Sequence, residues 1–389
     1  MNLLSTMKNS DNNNFDLRNL ALVFILLALV IACNKESDRV EDIDIEEPEP
    51  EPEVLPDFDS TSYVLDFGIL PPPGLPDDNP LTVEKVKLGK MLFYDPILSK
   101  GEQQSCADCH LQLDGFSDIR RFSLGVEDLP GNRQAMAIFN MAFHNNGFFW
   151  DGRAELLRDQ SLMPIEDPLE MNETLENVIS KLKDEKEYRF QFARAFEDSE
   201  ITEEKMALAM EAFMLTIVSN DSKFDQFLQG EYAFTESEQR GYDLFFTEFD
   251  PNGTQKGGEC FHCHAGINFT NNKYMNNGLD TDAGFEDEGY FATTGLAEDM
   301  ARFKVPSLRN IAVTPPYMHD GRFATLEEVL DHYDTGVKES STIDEIMQYN
   351  LNPGLGLTEQ DKADIISFLK TLTDETFLNN PEYADPFKK

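Results

Sequence analysis

The sequence predicts a mainly α-helical protein whose body divides into two domains, and three observations carry that prediction. Apolar residues recur at helical spacing in seven segments, Val83–Tyr94, Thr174–Lys183, Glu187–Phe196, Glu203–Val218, Glu236–Phe246, Leu326–Tyr333 and Glu359–Leu372. Continuous strand-like alternation is almost absent. One pentapeptide, Cys-x-x-Cys-His, occurs once in each half of the body, at 106–110 and 260–264.

The helices have start signals. Thr202, Thr235, Thr325 and Thr358 stand where N-caps belong, and acidic residues mostly follow in the first turn, where they complement the helix dipole. Loops rich in Gly, Asn and Asp, such as 271–295, carry the connections. About 330 residues follow position 61, enough for two domains. The expected division is 62–232 and 233–389, with the joint near Gln229–Phe234.

Four of the five cysteines lie in the two pentapeptides, Cys106, Cys109 and His110 in the first and Cys260, Cys263 and His264 in the second. This pattern attaches a c-type haem: each cysteine forms a thioether and the histidine ligates the iron. A zinc knuckle would need further ligands to complete a tetrahedron, and a CxxC redox pair needs no histidine. Two haems are therefore expected, one in each of two cytochrome c-like domains.

The fifth cysteine bears on location. Lys8 and Arg18 precede a short apolar run, 20–32, that ends Val30-Ile31-Ala32-Cys33. Its thirteen residues fall short of the roughly 20 that a spanning helix needs. The segment 1–32 reads as a lipoprotein signal, with Cys33 lipidated after cleavage. The expectation is an exported protein, anchored by lipid to a bacterial membrane and facing the periplasm or the cell surface. Residues 33–61, acidic and rich in proline, read as an extended tether. The net charge of −41 argues against nucleic acid, whose phosphates it would repel; it suits steering of a basic redox partner and, equally, an acidic surface kept for solubility.

Beyond these readings, a series of motifs in order resembles the bacterial di-haem cytochrome c peroxidases and their MauG-like relatives. The motifs are Leu88-Gly-Lys-Met-Leu-Phe-Tyr-Asp-Pro96, the first CxxCH, Phe149-Trp-Asp-Gly-Arg153, Pro164 through Glu170-Met171, and the second CxxCH. Val305-Pro-Ser-Leu-Arg-Asn310 and Pro316-Tyr-Met-His-Asp-Gly-Arg322 close the series. The resemblance runs from about Val83 to Leu372 and implies haems at the domain interface.

It also implies roles. Trp150 matches the family's electron relay between the haems. Gln160 and Glu170 match its distal pair, in which a carboxylate moves the peroxide's proton and an amide holds the peroxide. The histidine expected sixteen residues after His110, which blocks the iron in one class of the family, is Val126 here, so the first haem should be open. His144 reads as a loop or supporting residue. The position fourteen after His319, methionine in that class, is Tyr333, the ligand of MauG-like members; His332, Met318 and Met275 are the alternatives nearby. A calcium ion would be held by Gln134, in place of the family's asparagine, with the carbonyls of Thr314 and Pro316.

The implied activity is reduction of hydrogen peroxide with electrons from a small cytochrome c or cupredoxin. A MauG-like oxidase of a protein substrate is the second reading, and a plain di-haem electron carrier the third. A homodimer is compatible with the resemblance, and the lipid anchor is the expected membrane contact.

Overall fold

The computed structural model describes residues 53–253 and 255–388. The signal segment 1–32, Cys33 and the tether as far as residue 52 lie outside the described residues. From Val54 to Lys389 the chain forms one compact unit. The last tether residues are tied to it, since Asp59 N donates to Arg194 O at 2.9 Å and Val83 N to Thr61 O at 2.9 Å. Among the described residues, no helix is long and apolar enough to cross a membrane.

The helices are α1 (Val83–Tyr94), α2 (Leu157–Glu166), α3 (Leu175–Asp184), α4 (Lys186–Ala195), α5 (Glu203–Thr216), α6 (Lys223–Gln229) and α7 (Glu236–Phe245). They continue as α8 (Phe291–Thr294), α9 (Leu326–Asp331), α10 (Gln348–Leu351), α11 (Glu359–Lys370) and α12 (Glu375–Leu378). The seven expected helices are present with small shifts at their ends. All four predicted threonine caps accept a backbone N–H three residues on, and those of α7, α9 and α11 complete capping boxes with Glu238, Glu328 and Asp361. The described strands are a single pair of two residues each, β1 (Tyr274–Met275) antiparallel to β2 (Phe303–Lys304).

One expected helix ends differently. Leu326–Tyr333 is helical only to Asp331, and residues His332–Gly336 form a π-turn. That widened turn carries Tyr333.

Two apolar cores form. The first gathers α1, α3, α4 and α5 around Leu88, Leu92, Phe93, Phe192 and Phe213, and Phe377, Leu378 and Tyr383 from the chain's end return to it. The second gathers α6, α7, α9 and α11 around Phe224, Phe245, Phe269 and Phe368. Each is built on one close helix crossing. A Cβ at Gly89 on α1 would lie 1.9 Å from Ala209 O on α5, and one at Gly241 on α7 would lie 1.9 Å from Asp364 O on α11. Glycine lets the two backbones touch at both places.

Between the cores, buried charges fix the loops. Arg309 and Asp225, both fully buried, pair at 2.7 and 2.8 Å. The same guanidinium donates through Nε to Ile267 O at 3.0 Å, so it also holds the loop after the second CxxCH. Arg133 bridges Asp151 at 2.6 Å and Asp287 at 2.7 Å, joining the Trp150 loop to the loop before α8.

Candidate active site

Both CxxCH motifs lie in short 3-10 turns, Cys106–Asp108 and Cys260–His262, with His N donating back to the first cysteine's carbonyl at 3.0 Å in each. His110 Nδ1 pairs with Phe116 O at 2.9 Å, and His264 Nδ1 with Phe269 O at 3.0 Å. Fixing Nδ1 on a carbonyl orients the ring and leaves Nε2 as the nitrogen for a metal. Burial lowers the pKa of both imidazoles, that of His264 to about 4, so they are held in the neutral form that ligates. Burial likewise pushes the Cys106, Cys260 and Cys263 thiols up to about 12 and raises Cys109.

All six residues line one cavity of about 1580 Å³. A pocket for one drug-sized ligand spans roughly 300–1,000 Å³, so this space suits two large prosthetic groups. The matched donor sets, the oriented imidazoles and the shared volume together fit two c-type haems.

Trp150 also lines the cavity. It is 9% exposed, its Nε1 donates to Gln134 O at 2.9 Å, and its carbonyl accepts from Lys304 N at 2.8 Å. The indole is thus held by Gln134, and the backbone of Trp150 by β2.

Gln160 on α2 and Glu170, beyond its end, line the same cavity. Burial raises the Glu170 carboxyl to about 7; the nearby Asp167 adds to the rise and Arg153 opposes it. The burial has a backbone cause. Val126 N donates to Glu170 O at 2.8 Å, and a Cβ at Gly125 would lie 2.1 Å from Leu169 O. The loop that carries Val126 is therefore laid directly against the Glu170 loop. A second cleft of about 310 Å³ reaches Glu170 between exposed Arg153, Met163, Glu166 and Pro168 and the half-buried Asp167.

Around the second motif, Tyr333 lines the cavity, and burial raises its hydroxyl to about 12. Its Oη accepts from Asn277 Nδ2 at 3.1 Å. Of the alternatives, His332 is buried with Nε2 on Asn277 O at 3.1 Å and does not line the cavity, whereas Met318 and Met275 do. Gln134, Thr314 and Pro316 line the cavity as well; Gln134 Nε2 donates to Ser117 Oγ at 3.0 Å and Asp118 O at 3.1 Å, which leaves the amide oxygen.

Two further residues belong to this site. His144, expected as a loop or supporting residue, lies in a loop and lines the cavity with a buried Nε2 that has no partner among the described residues, and burial lowers its pKa to about 3. Asn277 carries no sequence signal, since nothing marks one asparagine in a loop that contains several.

The comparisons agree with this geometry. The profile of the family described as "Di-haem cytochrome c peroxidase" matches residues 83–233. The methylamine utilization protein MauG of Methylorubrum extorquens is 36% identical over 304 residues, covering 77% of this chain and 81% of that protein. The chain belongs to the di-haem cytochrome c peroxidase family. The cytochrome c551 peroxidase of Nitrosomonas europaea is 34% identical, covering 76% of this chain and 82% of its own. Among solved structures, a MauG-like protein associated with microbial copper homeostasis superposes with a TM-score of 0.76 at 34% identity, covering 84% of this chain and all of that one. Membership implies two c-type haems, which the cavity and its two CxxCH motifs fit.

Proposed function

We propose that the chain is a di-haem peroxidase that reduces hydrogen peroxide to water with electrons from a small cytochrome or cupredoxin. The observation that carries the reading is Glu170, a carboxyl raised to about 7 by burial on the cavity that His110 and Gln160 also line. When bound, the haem on Cys106, Cys109 and His110 supplies the metal centre at which peroxide is reduced, and that on Cys260, Cys263 and His264 stores and passes electrons.

The chain's own residues do the rest. Glu170 takes a proton from one peroxide oxygen and returns it to the other, which leaves as water; a pKa near 7 suits both transfers at neutral pH. Gln160 holds the peroxide by hydrogen bonding without titrating. Trp150, its indole held through Nε1 and its backbone through Lys304, lies on the cavity shared by the two sites and serves as the path for electrons. Val126 would offer the first haem no blocking ligand, and Tyr333 would serve as a further ligand of the second. Gln134 Oε1 and the carbonyls of Thr314 and Pro316 would hold a calcium ion, for which neutral oxygens are suitable.

The two haem sites are proposed to belong to two cytochrome c-like domains meeting at this cavity. The protein is proposed to be exported and lipid-anchored through Cys33. A second reading, oxidation of a protein substrate, is favoured by Tyr333 in the cavity and by the MauG relatives. The test is a titration of the peroxide-treated holoprotein with reduced cytochrome c. Rapid stoichiometric oxidation of the cytochrome supports the peroxidase; an oxidised state indifferent to it supports the second reading.

A further inference from the structure

We propose that Asn277 is the positioning residue that decides which side chain, Tyr333 or Met318, closes the outer face of the second haem. This rests on the reading of Tyr333 as that haem's ligand and adds the means of its selection. One amide nitrogen serves both candidates: Asn277 Nδ2 lies 3.1 Å from Tyr333 Oη and 3.4 Å from Met318 Sδ. Both side chains line the cavity together with His264.

The backbone that carries the amide is anchored. The backbone carbonyl of Asn277 pairs with His332 Nε2 at 3.1 Å, which ties this stretch of chain to the π-turn that carries Tyr333. On one side, the Asn276 amide donates to Ser340 Oγ and Thr342 Oγ1 and its oxygen accepts from Gly278 N. On the other, Gly278 O accepts from Lys338 N at 2.8 Å. Tyr333 is fixed as well, with its carbonyl accepting from Asn350 Nδ2 at 2.8 Å.

Met318 is held differently. It is a non-glycine residue at φ +76°, a conformation sustained only by its surroundings. Its unbranched side chain has three torsions and adapts readily. A thioether is a weak acceptor and a phenol oxygen a good one, so the amide holds the tyrosine more firmly. The choice has consequences for the iron: a tyrosine oxygen favours the ferric state, and a methionine sulfur raises the potential. With the amide in place, Tyr333 is presented and Met318 is kept beside it. Without the amide, Tyr333 loses its fixing bond and Met318 can reach the iron.

The experiment uses the holoprotein and its Asn277→Leu variant, both loaded with two haems, and reads near-infrared spectra and a potentiometric titration of the second haem. The expected result is a sulfur-to-iron charge-transfer band and a rise in midpoint equivalent to tenfold or more in the reduction equilibrium, about 59 mV for one electron. The double variant Asn277→Leu, Met318→Leu should lack the band. Oxygen ligation retained in Asn277→Leu, or an outer face left open with no sulfur band, overturns the proposal. Tyr333→Phe separates the two ideas. If its spectrum matches the unaltered protein, the reading of Tyr333 fails; if it changes while Asn277→Leu does not, only the role of Asn277 fails.

Discussion

The raised carboxyl of Glu170 makes a quantitative demand on the pH dependence of peroxide reduction. The group must be ionised to accept the peroxide proton, so the rate rises with pH and levels off above its pKa. Burial puts that pKa at about 7, against an ordinary value of 4.5. At pH 5 a group titrating near 7 is only about 1% ionised, whereas an unperturbed glutamate would be mostly ionised. kcat/KM for peroxide, measured by stopped flow with the free enzyme, should therefore fall about tenfold per pH unit below 7. Glu170→Gln should abolish that slope and lower the plateau by roughly 10²-fold or more, with both haems retained. Asp167→Asn removes the like charge that helps raise the pKa, so the inflection should move to lower pH. A wild-type profile flat from pH 5 to 9, or a Glu170→Gln profile with the same inflection, refutes the assignment.

Three further outcomes follow from the fold and its charge. Gly241→Ala puts a methyl 1.9 Å from Asp364 O and should cost roughly 1–3 kcal/mol in chemical denaturation, while Gly74→Ala, with nothing within 4 Å, should be near neutral. Asp225→Ala leaves the fully buried Arg309 without its carboxylate and should cost roughly 3–5 kcal/mol by the same measurement; a loss under about 1 kcal/mol would show that water reaches the pair. Turnover with a basic cytochrome should fall steeply as salt rises and the Debye length shrinks from about 30 Å at 0.01 M to about 8 Å at 0.15 M. Kinetics flat in salt would refute steering by the acidic surface.

The parts of the molecule legible in the sequence are those set by local chemistry. Threonine caps followed by acidic first turns marked the starts of α5, α7, α9 and α11, because capping is decided within four residues. The CxxCH turns were legible for the same reason. Helix α2, which carries Gln160, was not, because its apolar pattern is weak and Pro164 lies inside it. Gln160 and Glu170 stood out only through resemblance. In an acidic chain nothing local separates Glu170 from a solvated charge, and its burial comes from a loop some forty-five residues earlier, through Gly125 and Val126. Tyr333 too stood out only through resemblance, the π-turn that carries it was not legible, and Asn277, which meets it from fifty-six residues away, carried no local mark.

The central claim is that the two haem sites are unequal, one open to peroxide and one closed. Its most direct test is the electron paramagnetic resonance spectrum of the resting, fully oxidised holoprotein, followed by hydrogen peroxide without prior reduction. The account predicts one high-spin and one low-spin ferric signal, with the high-spin signal lost at once on adding peroxide. Two low-spin signals, unchanged by peroxide until a reductant is supplied, would contradict it.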